Sequence, residues 1–406
     1  MPRFSSFRGV RYDPARFAPA DVTAPPYDVI SPEDRQALVA RDPHNAVLID
    51  APTEADGPDR YTEAGSRMQA WMAEGALVTD PQPTLTAYRM TTTDDQGNPV
   101  ATLGVLGALT LGQPDETEIL PHEQTTPKAK SDRLDLLRGT RANLSAIWGL
   151  SLAKGLTDLL GVADTEPEAA WDDEDGVRHE TWRIDDPART AAIADAVAAQ
   201  PVVIADGHHR FATCLAYRDE RRAEPGAAGD AGEAEATLCY VVELTEEQLT
   251  VRPIHRLVDG RSPEDLVAAL ADHPGFEVGA TVPATEVASG QVLSQMADTG
   301  AMAVVGPDGG ATLLSVDPTA FEGVDDLDSA RLASALDHIG GCEVTYQHGV
   351  DRVQAAVADG RAQAGVLIRP VTVAAIEANA HSGNHMPPKS TFFHPKPRTG
   401  IVYRML

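Results

Sequence analysis

The chain has 406 residues, 42% of them hydrophobic, so it can bury a substantial core, and its length predicts two or three domains. Its formal net charge of −28 disfavours binding to nucleic acid, because a nucleic acid is itself a dense polyanion. The sequence has no long uncharged apolar run and no apolar signal-peptide core near its start, which predicts a cytoplasmic protein without a membrane span.

Lysine is scarce in this acidic chain and occurs only at positions 128, 130, 154, 389 and 396. Such a balance is typical of a salt-adapted surface and indicates a halophilic source. Where surface lysines are so rare, those that are present become candidates for chemical roles. Cys214, Cys239 and Cys342 have no CxxC spacing, which predicts buried thiols rather than a disulfide framework or a zinc site.

The predicted elements begin with an extended arm over residues 1–31 and a helix with Ser31 as N-cap and Pro32 at its first position. The segments "LTAYRMTTT" and "PVATLGVLGALTLG" predict a hairpin across the turn "DDQGN". The segment "DPARTAAIADAVAAQ" predicts a helix, residues 201–205 a strand, and the next segment a helix that continues to about 222. We expect "TLCYVVELT" and "LTVRPIHRLV" to pair as strands, with helices and strands alternating afterwards, as in an α+β or α/β fold.

The stretch "VVIADGHHRFATCLAYRDE" suggests an anion site at a turn between strand and helix. Asp206 and Gly207 allow a sharp turn, and the following helix directs free N–H groups and its positive dipole end at that turn. His208, His209 and Arg210 add donors that suit phosphate, and Asp206 could hold Mg²⁺ or orient a histidine. Two alternatives are a capped structural turn, and metal ligation by Asp206, His208 and His209 in a phosphohydrolase.

A second cluster lies in "PHEQTTPKAKSDR", where a carboxylate is followed by several cations. We predict Glu123 as a general base, His122 beside it, and Lys128, Lys130 and Arg133 as phosphate ligands. The alternative is that the basic residues cap the helix "SDRLDLLRGT", which is unfavourable because cations there oppose the helix dipole.

The third cluster is the tail "NHMPPKSTFFHPKPRTG". Its prolines stiffen the backbone around Lys389, Ser390, Thr391 and Lys396, which predicts a rigid basic segment that closes over a phosphate. Weaker candidates are His255 and Arg256 in "RPIHRLV", and Tyr27 and Asp28 in "PPYDVIS". Neither a GxxxxGK[ST] loop nor a GxGxxG motif is present in the sequence.

Together, "PPYDVIS", "PHEQT", "RANLSAIWGL", "IADGHHRFATCLAYRDE", "RPIHRLV" and "MPPKSTFFHPKPRTG" resemble the prokaryotic DUF1015 family over nearly the whole chain. The "DGHHR" signature is also similar to the phosphate-binding box of the ParB/sulfiredoxin superfamily, most closely to that of the archaeal free serine kinase, which uses ADP. The resemblance implies a ParB/sulfiredoxin-like core, a base role for Glu123, and a phosphate role for Gly207, His208, His209 and Arg210. His122 and His209 are further catalytic candidates.

On this basis we expect three regions: an arm with helices packing on the core (1–83), the phosphate-binding core (84–245), and an α/β region whose tail returns to the active site (246–406). The expected function is phosphoryl transfer to a small hydroxyl metabolite, with free serine as the first candidate, ADP or ATP as donor and Mg²⁺ bridging phosphates. The alternatives are a phosphoserine-type phosphatase, a nucleotide-sensing regulator that does not turn over, and a ParB-like DNA binder, which the net charge disfavours.

Overall fold

The computed structural model describes residues 2–93, 98–112, 118–121, 127–162, 165–382 and 389–406, with the side chains of 121, 127–131 and 380–382 outside the description. The chain forms two compact units. The first consists of Met1–Thr250 together with Pro395–Leu406, and the second of Val251–His394.

The strands, in chain order, are β1 (Phe4–Ser5), β2 (Val10–Tyr12), β3 (Leu77–Thr79), β4 (Leu85–Thr93), β5 (Pro99–Thr110), β6 (Ile119–Pro121), β7 (Ala142–Asn143), β8 (Ile147–Ser151), β9 (Ala169–Asp172), β10 (Arg178–Ile184), β11 (Val202–Asp206), β12 (Ala236–Glu243), β13 (Thr250–Arg252), β14 (Ile254–Asp259), β15 (Phe276–Val282), β16 (Ala301–Val305), β17 (Ala311–Val316), β18 (Glu343–His348), β19 (Ala364–Leu367), β20 (Phe392–His394) and β21 (Arg404–Met405).

The helices, in chain order, are α1 (Pro19–Val22), α2 (Pro32–Arg41), α3 (Val47–Asp50), α4 (Arg60–Ala73), α5 (Pro127–Thr140), α6 (Leu156–Leu160), α7 (Pro187–Ala198), α8 (His208–Arg222), α9 (Pro263–Ala271), α10 (Ala284–Ala288), α11 (Gln291–Thr299), α12 (Asp328–Ile339), α13 (Val350–Ala358) and α14 (Val373–Ser382).

A mixed sheet forms the centre of the first unit. Among the described residues its order is β6-β11-β8-β12-β5-β4-β10-β9, with β1 added beside β5. The predicted hairpin is confirmed, because β4 and β5 pair antiparallel from Thr86 opposite Leu106 to Thr93 opposite Pro99. The mixture of helix and sheet expected from the sequence is also confirmed.

Strand β11 and helix α8 follow the predicted pattern closely. Residues 202–205 are buried in the sheet, where β11 lies between β6 and β8, so an apolar run is required there. Helix α8 begins directly after Gly207 and ends at Arg222, as expected. Its inner face buries Phe211, Cys214 and Tyr217 against the core of the first unit.

The N-terminal arm and the C-terminal segment hold each other in place within the first unit. Ser31 caps α2 in a capping box with Asp34, which confirms the predicted N-terminus of this helix. Backbone bridges join Ala24 to Thr399 and Val10 to Tyr403, and β21 pairs with β7. The C-terminal segment is therefore an integral part of this unit.

The second unit contains an antiparallel sheet of order β15-β17-β16-β19-β14-β18. Helices α10, α11 and α13 cover one face of this sheet and share one apolar cluster with it. Helices α9 and α12 cover the other face and share a second apolar cluster with it. The expected pairing of "TLCYVVELT" with "LTVRPIHRLV" is wrong: β12 pairs with β5 and β8, whereas β14 pairs with β18 and β19. Both strands have two neighbours in their own sheets, so nearness in sequence did not decide their partners.

Two of the three predicted buried thiols are confirmed. Cys214 and Cys239 are buried, and burial raises the pKa of Cys239 to about 12, whereas Cys342 is only half-buried. All three are free cysteines. In the described part of the chain, no helix combines the length and the apolar composition that crossing a membrane would need.

Candidate functional site

The predicted anion site lies where β11 ends and α8 begins, a segment called here the Gly207 turn (residues 206–210). Gly207 has a φ of 91°, in the left-handed region that favours glycine. A Cβ at this position would lie 3.0 Å from Nε of Arg210. The turn therefore needs glycine for its backbone angle and for the space taken by Arg210, and the positive dipole end of α8 points at it.

The side chain of Arg210 packs against Gly207, and the residue is only 9% exposed. Its Nη2 donates to Oδ2 of Asp206 at 2.6 Å, and its Nη1 donates to the carbonyl of Ala146. Burial alone would lower the pKa of Arg210, but the Asp206 and Asp28 carboxylates outweigh that effect and raise it. Arg210 is therefore a fixed positive charge that orients Asp206.

A salt bridge of three residues, the carboxylate–lysine bridge, joins Asp28, Lys396 and Asp206. Nζ of Lys396 lies 2.8 Å from Oδ2 of Asp28 and 3.0 Å from Oδ1 of Asp206. The lysine side chain is 10% exposed, whereas those of Asp206 and Asp28 are 22% and 40% exposed. Burial opposes the charge of Lys396, but Asp206 and Asp28 together raise its pKa, so this ammonium stays protonated.

The turn that contains Asp28 packs against the side chain of Arg133. Tyr27 and Asp28 lie in a 3₁₀ turn, and the guanidinium of Arg133 lies 3.9 Å from the centroid of the Tyr27 ring. Nη1 of Arg133 donates to the carbonyl of Asp50 at 2.7 Å, and Nη2 donates to Asp132 at 3.0 Å. Arg133 therefore positions the Tyr27–Asp28 turn.

A small cavity with a mixed polar and apolar lining lies beside Arg133 and Arg210 and has a volume of about 50 Å³, enough for a few water molecules. Asp50 lines it, accepts a hydrogen bond from Oγ1 of Thr399 at 3.1 Å, and has its pKa raised by burial, against the effect of Arg133. Among the described residues, Nε of Arg210 and Oγ1 of Thr213 have no partner, and both residues line this cavity.

Arg398, two residues after Lys396, fixes the C-terminal segment beside the site. Its Nε donates to Oγ1 of Thr23 at 3.1 Å, and its Nη1 lies 3.1 Å from Asp173 and 3.3 Å from Glu174. Arg398 is buried, so these bonds are shielded from water.

Asp173 is also tied to a buried histidine. Its Oδ2 lies 2.9 Å from Nε2 of His179, and Nδ1 of that ring lies 2.8 Å from the hydroxyl of Tyr88. Although burial would raise the pKa of Asp173, the hydrogen bonds from His179 and Val177 lower it to about 2. The carboxylate that receives Arg398 is therefore ionised.

The structure brings together some of the predicted site residues. Lys396, Asp206 and Arg210 meet, with His208 buried and His209 half-buried in the first turn of α8. Lys128 and Lys130 lie in the first turn of α5, but their side chains are outside the description. His122 and Glu123 lie outside the described residues.

The other predicted tail residues belong to the second unit. Lys389 is exposed and has a φ of 60°, and its carbonyl accepts a bond from Nη2 of Arg256. Ser390 is buried, with its hydroxyl 3.0 Å from that of Ser329, and Thr391 is also buried. Their phosphate-binding roles stay predictions.

Sequence reasoning missed Asp50 and Arg398 and gave little weight to Tyr27 and Asp28. The signal for Asp28 was available in "PPYDVIS", since two prolines set the turn that presents it. Asp50 ends the short helix α3, and only its burial marks it as unusual. Within the described ranges, no group of three or more His, Cys, Asp or Glu side chains forms a metal cluster.

We predict that Gly207→Ala lowers the free energy of unfolding by about 1–3 kcal/mol more than Gly226→Ala, measured by urea denaturation. The two glycines have nearly the same φ, 91° and 92°, so the backbone strain is matched. A Cβ at Gly226 would have nothing within 4 Å, whereas one at Gly207 would contact Arg210. Equal losses in the two variants would show that Arg210 does not lie against the turn.

A family model described as "Protein of unknown function (DUF1015)" matches residues 4–337. Among solved structures, a free serine kinase in complex with AMP is 15% identical with a TM-score of 0.35, covering 70% of this chain and 88% of its own. SbnI with C-terminal truncation from Staphylococcus aureus is 11% identical with a TM-score of 0.40, covering 74% and 87%. A conserved hypothetical protein from Pyrococcus furiosus is 13% identical with a TM-score of 0.37, covering 71% and 92%.

No curated protein matches the chain. The structural similarities are too low for the activities of these neighbours to be transferred to this protein.

Proposed function

Because the chain belongs to the DUF1015 family, whose description names no activity, we propose a function from the site itself. The protein is a phosphotransferase that moves a phosphoryl group to the hydroxyl of a small metabolite. Free serine is the first candidate acceptor, and ADP or ATP is the donor. A ParB/sulfiredoxin-like core and a cytoplasmic location, both expected from the sequence, belong to the same proposal.

The observation that supports this proposal most is the carboxylate–lysine bridge beside the N-terminus of α8. The Lys396 ammonium stays protonated there and therefore stabilises negative charge rather than accepting a proton. The positive dipole end of α8, which begins at His208, lies on the same side. Together they suit the charge that develops on a phosphoryl group during transfer.

A carboxylate is available to take the proton from the hydroxyl of the acceptor. Asp28 is the most exposed member of the bridge, and its Lys396 contact holds it near the Gly207 turn. In the proposed step the acceptor oxygen attacks the terminal phosphorus, the bond from that phosphorus to the nucleotide breaks, and the hydroxyl proton goes to a carboxylate. Asp28 and Glu123 are the two candidates for that base.

Mg²⁺ is part of the proposal, and Asp206 would supply one of the one or two carboxylates that commonly hold this ion beside phosphates. When bound, the ion would neutralise phosphate charge. The remaining roles belong to the chain: Arg210 orients Asp206, Arg133 positions the Asp28 turn, and Lys396 stabilises charge on the transferred group.

Phosphorus NMR on the purified chain at high salt tests the proposal. The protein is incubated with Mg²⁺ and serine plus ADP or ATP, and separately with phosphoserine. We expect phosphoserine to appear, together with AMP from ADP or ADP from ATP. Free phosphate released from phosphoserine would instead indicate a phosphatase. Unchanged spectra with saturable nucleotide binding would indicate a sensor.

The same assay identifies the base. Asp28→Asn and Glu123→Gln are compared in parallel, and we expect the variant that loses the base to turn over about a hundredfold more slowly with little change in nucleotide affinity. Turnover that survives in both variants and in the double variant would exclude carboxylate base catalysis at this site.

A further inference from the structure

A second, larger pocket lies in the first unit. It has a volume of about 550 Å³, within the usual range of sites for small organic ligands. The pocket is lined by the turn after β2, by helix α1, by β3 and the two residues after it, by strands β9 and β10, and by residues 400–401. None of its lining residues belongs to the Gly207 turn or to the carboxylate–lysine bridge.

The apolar part of this pocket is partly open to solvent. Phe17, Val78 and Trp171 line it, and Val78 is 40% exposed, one of the few large aliphatic side chains so exposed among the described residues. The Trp171 ring is held in place by stacking on the buried ring of His179, with centroids 5.2 Å apart. The pocket therefore offers a rigid apolar surface rather than a flexible loop.

The charge of the lining favours an anion. Two buried or half-buried charges, Asp80 and Arg11, neutralise each other, and Arg183 is paired with Glu168 and Asp80. Arg16 is different: it donates to the carbonyl of Glu74, its guanidinium lies 5.2 Å from the Phe17 ring centroid, and within the described residues it has no carboxylate partner. Arg16 is exposed, so an anion in solution can reach its guanidinium.

We propose that this pocket is a binding site for a small organic anion with an apolar body. The carboxylate or sulfonate of the ligand pairs with Arg16, and its apolar body lies against Phe17, Val78 and Trp171. None of its lining residues belongs to the proposed phosphoryl-transfer site. Its ligand is therefore an effector or a non-reacting part of a substrate, and not the phosphoryl group that is transferred.

The test uses two fluorescent probes on the whole chain: anilinonaphthalene sulfonate, and the neutral phenylnaphthylamine, which has the same kind of rings without the sulfonate. We expect one saturable sulfonate site per chain. Arg16→Gln should weaken sulfonate binding about tenfold and leave the neutral probe unchanged. Val78→Glu should weaken the sulfonate about tenfold by placing a like charge at the entrance.

Two matched controls accompany these variants. Leu159→Glu makes the same charge change at a similarly exposed aliphatic residue, 37% exposed, and Arg221→Gln removes an arginine near the end of α8 whose side chain is 38% exposed. Neither should alter sulfonate binding, and near-UV circular dichroism should show native packing in every variant. A wild-type chain without saturable sulfonate binding, or equal affinities in Arg16→Gln and Arg221→Gln, would overturn the proposal.

Discussion

Replacing Lys396 by Met is expected to slow phosphoryl transfer by a factor of about a hundred or more. Loss of one charge-stabilising donor in an active site usually has an effect of this size. The change also leaves Asp28 and Asp206 facing each other without the ammonium that lies 2.8 Å and 3.0 Å from them. Initial rates of phosphoserine formation at saturating nucleotide give the measurement.

Two further lysine variants distinguish a chemical role from a structural one. Lys396→Arg keeps the charge and should recover part of the rate, although the planar guanidinium cannot reproduce an ammonium contact to both carboxylates. Lys154→Met removes a lysine that bonds only to the Leu244 carbonyl among its described partners, and it should leave the rate unchanged. Wild-type turnover in Lys396→Met would remove this residue from the proposed mechanism.

The second large effect is expected on stability. Arg398→Ala should lower the free energy of unfolding by about 3–5 kcal/mol, because it leaves the buried Asp173 carboxylate without a charged partner. It also removes the bond to Thr23 and so loosens the segment that carries Lys396. Urea denaturation followed by tryptophan fluorescence measures the loss.

Arg178→Ala is the matched control for this prediction. Arg178 on β10 forms a 3.3 Å salt bridge to Asp172 on β9, next in sequence to Asp173, but both side chains are exposed. Its loss should cost less than about 1 kcal/mol. A similar cost in Arg398→Ala would mean that water reaches the Arg398–Asp173 contact and that the C-terminal segment is held by other interactions.

The Gly207 turn was predictable from the sequence because its signals are local. An apolar run over 202–205, the Asp206-Gly207 pair and the amphipathic segment after it each indicate one element, and these three indications agree. The same holds for the capping box at Ser31. Where neighbouring residues decide the structure, the prediction and the structure coincide.

The carboxylate–lysine bridge could not be predicted in the same way. Asp28 and Lys396 are 368 positions apart, and no periodicity or spacing connects them. Arg398 in "KPRTG" looks like an ordinary surface arginine until the folded chain buries it against Thr23 and Asp173. Contacts of this kind depend on the whole topology, which a single sequence does not reveal.

The split of the first unit into two pieces of chain has a consequence for biosynthesis. Asp206 and Lys396 are 190 positions apart, so at ribosomal rates roughly ten to forty seconds separate their appearance. During that interval the nascent chain has Asp28, Asp206 and Arg210 but not the lysine that joins the two carboxylates. Such a polypeptide would lack the complete proposed phosphoryl-transfer site until its second unit and the segment after it had been translated.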